Sequence, residues 1–464
     1  MGIFLQSAII FVLVLGAMIV IHEFGHFIVA KYFGIRVDVF SVGFGKRLWG
    51  VKKGDTDYRI SLIPLGGYVK MAGENLDEQL TGAPDEFTSK PKWQRLCVAF
   101  AGPAMNVLTA LAIPMVLVMM HHEVPAYLDK AALIKAVEPN SPAEKAGLRP
   151  GDLIVQIDGR VNPAWRDIED TIAVNPDQSV PITVDRGGEL KQLAVQVEGR
   201  AIETEKIGYA GFMPEDTKIS VREVKAGEPA EAAGLRVGDQ IIAINGNRIE
   251  QSFFGRDEII RVIRSSADQP IVLTVNRDGE TLDLKATPVS TEGELRLGFS
   301  PQVTGFEIVS QRLSLVAAFK YSVSFNLRII DLTKRALAQV FVGKRSARDT
   351  LTGPVGIAQI VGQAAQHGTE EVLQLTAVLS LNLGIFNLLP IPVLDGGLIF
   401  MILLESLLGV FGLPLTLRIK ERMMQVGFVM LMLLMGFVIF NDISKRIPWG
   451  SETSQVEQSR PATR

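Results

Sequence analysis

The 464-residue sequence lacks the residues that build disulfides and cysteine-rich metal sites. Its one cysteine, Cys97, excludes an intramolecular disulfide and a Cys-rich zinc site. With only five histidines, any metal site must combine histidine with carboxylate. An excess of charge of one sign is also missing, because 47 Lys and Arg against 50 Asp and Glu give a net charge of −3. Nothing in this balance favours nucleic acid as a partner, and we expect none.

Long apolar runs are present at both ends of the chain. Hydrophobic residues make up 47% of the sequence, and several runs approach the ~20 residues that span a bilayer. We predict a multi-pass α-helical membrane protein with four transmembrane segments, at residues 1–31, 96–120, 372–408 and 423–441. The third segment is interrupted by prolines and glycine pairs. A cleaved signal peptide is the alternative for the first, but that run lacks a basic start and carries ionisable residues where a cleavage site should lie.

The distribution of Lys and Arg predicts the orientation in the membrane. Eleven lie in residues 31–95, three in 418–422 and none in 1–7. Both of these connections should therefore be cytoplasmic. The N-terminus and the long region between the second and third segments then face outward, which in a bacterium is the periplasm.

The cytoplasmic loop, residues 32–95, contains an apolar stretch at about 58–73 with the sequence YRISLIPLGGYVKMAG. Two short strand-like runs flank Gly66 and Gly67, which predicts a β-hairpin. Two interpretations remain open. The hairpin either packs on helix ends in the cytosol or dips into the membrane with its backbone shielded by protein or a wet cavity.

The outward-facing region repeats itself. Residues 137–162 align without a gap on 224–249 with 13 identities in 26 positions, and each copy holds an AGLRxGD turn. We interpret the copies as two extramembrane PDZ domains of the α+β class, at 126–218 and 219–305. PDZ domains bind extended peptides, often chain termini, at a sheet edge. A steric or spacing role remains an equal alternative.

Two further segments follow from the apolar pattern. Residues 306–345 are predicted to be an amphipathic helical region that lies at the outer membrane surface or packs on the second repeat copy. Residues 442–464 are assigned to a tail.

The chemistry is indicated by HEFGH at residues 22–26, an HExxH motif. Helical spacing puts His22 and His26 on one face, where both imidazoles reach one ion, and Glu23 can act as general base on the attacking water. Such residues inside a membrane helix are costly and by default functional. A polar patch satisfied by neighbouring helices is the alternative.

Two histidines leave a catalytic zinc ion one protein ligand short. Asp395, within NLLPIPVLDGG, is a carboxylate in an apolar segment whose prolines break helical bonds. It is the best candidate for the third ligand of Zn²⁺, although a helix-capping role is also open.

These motifs resemble the site-2 protease family of intramembrane zinc metalloproteases. The resemblance rests on HExxH in the first segment, NxxPxPxLDGG in the third, a GPxxN stretch in the second and PDZ modules between them. It implies a metal site of His22, His26 and Asp395, with Glu23 as the base. Asn387 would contact the substrate or the developing oxyanion. The GPxxN residues are expected to serve helix packing.

The resemblance also implies partners and a location. The hairpin, through Tyr58, Ile60, Gly66 and Gly67, would pair with the substrate, a single-span membrane protein such as an anti-sigma factor or a signal-peptide remnant. The PDZ pair would act as a size-exclusion gate that admits substrates after a first cut. The protein would lie in the bilayer of a bacterial inner membrane, with its active site near the cytoplasmic side.

Two rival functions use the same residues. A divalent-metal transporter could carry ions through His22, His26 and Asp395, but it has no need for a base at Glu23. A non-catalytic PDZ membrane scaffold would not require intact metal motifs.

Overall fold

The computed structural model describes residues 2–444 except 75–80, 122, 203–204, 215–216, 250, 252, 267–268, 292–293, 306, 311, 351 and 414–415. Most of the predicted tail, from residue 445 onward, lies outside the described residues. The chain forms two compact units. The membrane unit comprises Met1–Met120 and Leu313–Arg464, and the repeat unit comprises His121–Arg312.

The membrane unit begins with two long helices that flank a β-hairpin. The elements are α1 (Gly2–Tyr32), β1 (Val37–Lys53), β2 (Thr56–Met71) and α2 (Lys92–Met120). Apolar side chains from the end of α1, the hairpin and α2 form a small buried cluster that contains Ala30, Val37, Met71 and Val98. This cluster fixes the base of the hairpin against both helices.

The chain reverses twice in the hairpin. The first reversal lies at Gly54 and Asp55, between β1 and β2. The second lies inside β2, because residues 57–60 pair with 39–42 in ascending order, whereas 67–70 pair with the same residues in descending order. Gly66 lies in this second reversal with φ +115°, a value that only glycine adopts easily. The register is therefore consistent with the turn predicted at the glycine pair.

The repeat unit contains 18 strands, four α-helices and one short 3-10 helix (Ala126–Asp129) in the described residues. The helices are α3 (Pro142–Lys145), α4 (Trp165–Val174), α5 (Pro229–Ala232) and α6 (Phe253–Arg264). The strands are β3 (Glu123–Pro125), β4 (Ala136–Val137), β5 (Leu153–Ile157), β6 (Arg160–Val161), β7 (Ser179–Arg186), β8 (Glu189–Gln196), β9 (Glu198–Ile202), β10 (Glu205–Tyr209), β11 (Phe212–Met213), β12 (Lys218–Val224), β13 (Gln240–Ile244), β14 (Asn247–Arg248), β15 (Ile271–Arg277), β16 (Glu280–Ala286), β17 (Val289–Thr291), β18 (Glu294–Arg296), β19 (Phe299–Thr304) and β20 (Ile308–Ser310).

Two modules within this unit correspond to the two sequence copies. The first module, residues 126–213, has a sheet of order β6-β5-β7-β8 and its own buried core. The second module, residues 218–304, has a sheet of order β16-β15-β13-β12-β19 and a separate core. Strands β3 and β20 pair with each other, so the chain enters and leaves the unit at one place.

The membrane unit then continues with six helices. They are α7 (Leu315–Phe341), α8 (Ala347–Thr350), α9 (Pro354–His367), α10 (Thr369–Asn387), α11 (Asp395–Val410) and α12 (Leu417–Ser444). Among the described residues, three helical stretches are long and apolar enough to cross a membrane: Ser7–Tyr32, Lys92–Met120 and Arg418–Ser444. The third predicted segment is instead divided into α10 and α11 by residues 388–394.

Helix α7 packs on α2. Pro114 inside α2 has no N–H to donate to the carbonyl of Ala110. Asn326 of α7 donates its Nδ2 hydrogen to that oxygen at 3.0 Å, and the Ser322 hydroxyl donates to the Leu111 carbonyl at 2.6 Å. The polar groups of α7 therefore satisfy α2 where its proline interrupts the hydrogen-bond pattern.

Candidate metal centre

Helix α1 carries the HExxH motif on the side that faces α2 and α11. His22 and His26 lie one turn apart and are only 6% and 7% exposed. Their Nε2 atoms lie 3.2 Å from each other. Because both imidazoles are buried and point the same way, they form one half of a possible ligand site.

Asp395, the first residue of α11, completes the cluster. Its Oδ2 lies 3.0 Å from Nε2 of His22, and its Oδ1 lies 3.3 Å from Nε2 of His26. The three ligand atoms all lie within 4.8 Å of one another. The structure therefore brings together the three residues that the sequence predicted as metal ligands.

The break between α10 and α11 positions Asp395. Residues 388–394 turn back over the start of α11, and a Cβ on Gly396 or Gly397 would collide with the carbonyls of Leu388 or Ile391. The glycine pair of the LDGG motif is therefore needed for the close approach of this loop to the helix.

The geometry of the three residues fits a zinc ion. Ligand atoms about 2.0 Å from a tetrahedral ion lie roughly 3.3 Å apart, close to the spacing of these atoms. Gly102 of α2 keeps the space open, because a Cβ there would collide with Nε2 of both His22 and His26. Two imidazole nitrogens and one carboxylate oxygen are also the donor types of many catalytic zinc sites. The GPxxN glycine therefore borders the ligand site.

Glu23 lies beside this cluster without belonging to it. Its Oε2 accepts a hydrogen bond from the backbone N–H of Val69 on β2 at 3.0 Å. The hairpin thus holds the predicted base in place. This contact leaves no pattern in the sequence, because its donor is a backbone N–H 46 residues away.

The strand register identifies the free edge of the hairpin. Residues 39–42 pair with 67–70 on one side and with 57–60 on the other. Tyr58 and Ile60 also pair with Val51 and Trp49, so both of their backbone sides are used. Residues 67–71 form an outer strand, and its Val69 N–H points toward Glu23.

The other predicted site residues are distributed as follows. Gly67 lies on this outer strand, and Gly66 precedes it with its Cα against the side chain of Ile19. Asn387 is the last residue of α10, and within the described part of the chain no hydrogen bond joins it to the three ligand residues. The substrate contact at Asn387 stays a prediction.

Asn106 and Val98 of α2 also touch the histidines. Nδ1 of His26 donates to the Val98 carbonyl at 2.8 Å, and Nδ1 of His22 lies 3.1 Å from Nδ2 of Asn106. From the sequence, the GPxxN residues are expected to serve helix packing, whereas the structure places Asn106 against His22. The spacing of Gly102 and Asn106, one helical turn apart, could have suggested a common face toward the histidines.

Comparison with known proteins places this geometry in a family. Residues 10–434 match the model of Peptidase family M50. The chain is 34% identical to a putative zinc metalloprotease of Vibrio cholerae, over 95% of this chain and 99% of that one. It is 32% identical to the regulator of sigma-E protease RseP of Escherichia coli, over 95% and 99%.

A solved structure, the PDZ domain of the SdrC-like protein of Listeria monocytogenes, is also similar at 22% identity. The match covers 19% of this chain and 92% of that PDZ domain's chain, with a TM-score of 0.16. The family match spans both α1, with its two histidines, and α11, with Asp395, and zinc is the expected cofactor. A chain with this motif geometry and this coverage belongs to Peptidase family M50, the site-2 protease family of zinc metalloendopeptidases.

Proposed function

We propose that the protein cuts a single-span membrane protein within the bilayer, as one step of regulated intramembrane proteolysis. The observation that carries this proposal is the His22, His26 and Asp395 cluster, built from one helix that is long and apolar enough to span a membrane and from the broken third segment. A metal ligand site in such helices has no simple structural purpose, because buried ionisable groups are costly in lipid.

The side chains have separate roles in this reaction. His22, His26 and Asp395 would hold Zn²⁺, which when bound polarises a carbonyl and makes water a stronger acid. Glu23 would take the proton of the attacking water and pass it to the leaving amine. Its hydrogen bond from Val69 N–H keeps the carboxylate oriented and leaves its other oxygen for the proton.

The outer strand of the hairpin offers a place for the substrate. A peptide bond in a transmembrane helix is protected by its own hydrogen bonds, so the segment must unwind before it is cut. The N–H groups of Val69 and Met71 point outward from the hairpin, where they donate to Glu23 and Glu74. The carbonyls of these residues face the same side, and strand addition there would satisfy donors of an unwound segment. Because the Val69 N–H already donates to Glu23, we assign substrate pairing to Gly67 and to the carbonyl of Val69, in preference to Tyr58 and Ile60.

Two substitutions test the chemistry by distinguishing the role of the general base from the role of a metal ligand. Glu23→Gln should abolish cleavage of a purified single-span substrate while the protein retains zinc, since all three ligands remain. Asp395→Ala should lose both cleavage and zinc. Metal content by mass spectrometry and cleavage by gel are measured on the same samples, and full activity of Glu23→Gln would contradict the proposed role.

The substrate class follows from the named relatives. Several are called regulators of sigma-E protease, which supports an anti-sigma factor as the substrate of this chain. A library of purified single-span proteins, incubated with enzyme and with enzyme plus chelator, would identify the cut by mass spectrometry. Chelator-resistant cleavage would instead indicate a contaminating protease.

The orientation has its own test. We place the hairpin loop in the cytoplasm and the repeat unit in the periplasm of a bacterial inner membrane, as the Lys and Arg distribution predicts. In a Cys97→Ser background, Thr81→Cys should resist an impermeant thiol reagent in intact cells, and Glu189→Cys should react. Both positions are exposed, so the opposite labelling pattern would reverse the topology.

We further propose that the two modules are PDZ domains that exclude substrates with bulky outer domains. The structure offers a clean deletion, because Ala126 N–H donates to the Glu307 carbonyl at 2.8 Å. Removing residues 127–306 and joining the ends with a short linker preserves the β3 and β20 pair. The shortened protein should cut an untrimmed substrate that the full chain spares, and should cut a trimmed substrate equally well.

Recruitment of a peptide is a second candidate role for the second module. A cavity of about 350 Å³ lies between α6 and the segment 295–301, and its lining includes Ile260, Ile263 and Phe299. An apolar groove between a helix and a strand suits an extended peptide. If recruitment dominates, the same deletion should raise KM for the trimmed substrate.

A further inference from the structure

The amide of Asn106 is placed against His22 in a way that packing does not require. Asn106 is fully buried at 0% exposure. Its Nδ2 lies 3.1 Å from Nδ1 of His22, whereas its Oδ1 is buried and has no hydrogen-bond partner. A buried acceptor without a donor costs free energy, so this side chain has an unused acceptor beside a histidine that could donate.

The direction of His22 decides which of its nitrogens carries the proton. Nε2 faces Asp395 and His26, so Nε2 is the atom available to a metal ion. A neutral imidazole that binds a metal through Nε2 carries its hydrogen on Nδ1. Nδ1 of His22 must then donate a hydrogen bond, and Asn106 is the group that faces it.

An asparagine amide can meet this demand by a half turn. Rotation by 180° about the Cβ–Cγ bond exchanges Oδ1 and Nδ2 with almost no change in shape. After this turn Oδ1 accepts the Nδ1 hydrogen of His22, and Nδ2 takes the position at which Oδ1 had no partner. The metal-loaded site therefore selects one orientation of the Asn106 amide.

The second histidine shows the same arrangement with a different acceptor. Nδ1 of His26 donates to the backbone carbonyl of Val98, also on α2. Both ligands are thus held from behind by α2, one through the main chain and one through a side chain. Only the support of His22 can be removed by substitution.

The backbone of Asn106 is held by separate contacts. The Ser380 hydroxyl of α10 donates to the Asn106 carbonyl at 2.9 Å, and Gly384 packs close to its Cβ. Packing of α2 on α10 therefore does not need the amide. This separation provides a matched control, because Ser380→Ala removes a buried hydrogen bond at the same residue and leaves the amide in place.

We propose that Asn106 is a positioning residue for the metal centre, whose amide oxygen fixes the Nδ1–H tautomer and the ring orientation of His22. The inference rests on the proposed ligand site. Groups that support metal-ligating histidines in this way typically contribute about 10- to 100-fold to metal affinity.

The test measures zinc affinity and not proteolysis. Purified full-length wild type, Asn106→Leu, Asn106→Asp and Ser380→Ala are titrated with zinc in competition with a chromogenic chelator. Asn106→Leu has a similar shape but no acceptor, so its affinity should fall about 10- to 100-fold. Asn106→Asp keeps an acceptor and should stay within about threefold of wild type. Ser380→Ala should lower the unfolding temperature and leave zinc affinity unchanged.

The outcomes distinguish a failure of the proposed ligand site from a failure of the proposed role of Asn106. If wild type binds no zinc, the ligand site itself is wrong. If wild type binds zinc and Asn106→Leu binds it equally well, only the role of Asn106 is wrong. Equal losses in Asn106→Leu and Ser380→Ala would indicate helix packing instead. Should Asn106→Leu fail to fold, Asn106→Ala takes its place with the same expected loss of affinity.

Discussion

In the first module strand β10 lies directly against α4, whereas in the second module the corresponding segment borders a cavity. A Cβ on Gly208 of β10 would collide with the carbonyl of Ile172 in α4. In the second module, Leu295 occupies the position that corresponds to Gly208. Each of the two lies three residues before a glycine, Gly298 in the second module and Gly211 in the first. Leu295 lines the cavity. The groove between strand and helix is thus closed in the first module, which has Gly208, and open in the second module, which has Leu295.

The two modules share their main polar anchor. The aspartate of each AGLRxGD turn is buried and receives two hydrogen bonds from one arginine, Arg186 to Asp152 and Arg277 to Asp239. Each arginine also donates to a glycine carbonyl at 2.7 Å. Duplication has therefore kept the anchor and varied the groove.

The largest expected effect tests the shared anchor. Asp152→Ala and Asp239→Ala each remove a buried carboxylate that accepts two hydrogen bonds from an arginine and one from a backbone N–H, and should destabilise their own module by about 3 kcal/mol. Hydrogen exchange of module peptides in the full-length protein measures each module separately. If only one of the two substitutions lowered the protection of its own module, the two modules would not share this anchor.

A smaller effect should distinguish the two grooves. Gly208→Ala forces β10 away from α4 and should destabilise the first module by about 1 to 3 kcal/mol. Leu295→Ala in the second module enlarges an existing cavity and should cost about 1 kcal/mol. The same exchange measurement applies, and equal costs would remove the distinction between closed and open grooves.

Acidification should weaken both modules in parallel. Burial opposes ionisation of Asp152 and Asp239, but the hydrogen bonds from Arg186 and Arg277 outweigh it and hold the pKa of each carboxyl below its usual value. A lowered folded pKa stabilises the protein above the unfolded value of about 3.9, and this contribution is lost as pH falls through the folded pKa. Hydrogen exchange between pH 6 and pH 3, corrected for intrinsic rates, should show a gradual loss that Asp152→Asn removes in the first module alone.

The smallest effect concerns the open groove. Ile260→Asp places a charge in the cavity and should raise KM severalfold if the second module recruits substrate, with little change in kcat. The neighbouring exposed residue provides the control, since Arg261→Asp adds the same side chain outside the cavity. An unchanged KM in both variants would favour exclusion by size.

The parts of the site that lie within one motif were predictable. HExxH and LDGG identified His22, His26 and Asp395, because helical spacing and a carboxylate in an apolar run leave a readable pattern. The family, the enzyme class and the cofactor are confirmed by the comparisons. The roles of Glu23 and Asn387 stay predictions.

Contacts between distant segments were not predictable. The bond from Val69 N–H to Glu23 and the contact of Asn106 with His22 join residues 46 and 84 positions apart. They depend on how helices and hairpin pack, which no local pattern records. Strand β1 and its reversal into β2 at Gly54 and Asp55 were also not predicted, because the register depends on pairing between distant segments.

The proline in α2 has a consequence for assembly in lipid. Because Pro114 has no N–H, the Ala110 carbonyl lacks its helical hydrogen-bond donor. In lipid, where no water is available, a donor from another helix must satisfy that oxygen. Asn326 of α7 supplies this donor, and Ser322 of the same helix donates to the next carbonyl, that of Leu111. The carbonyl that Pro114 leaves without a helical donor therefore provides a docking position on α2 for α7, a segment that is synthesised some two hundred residues later.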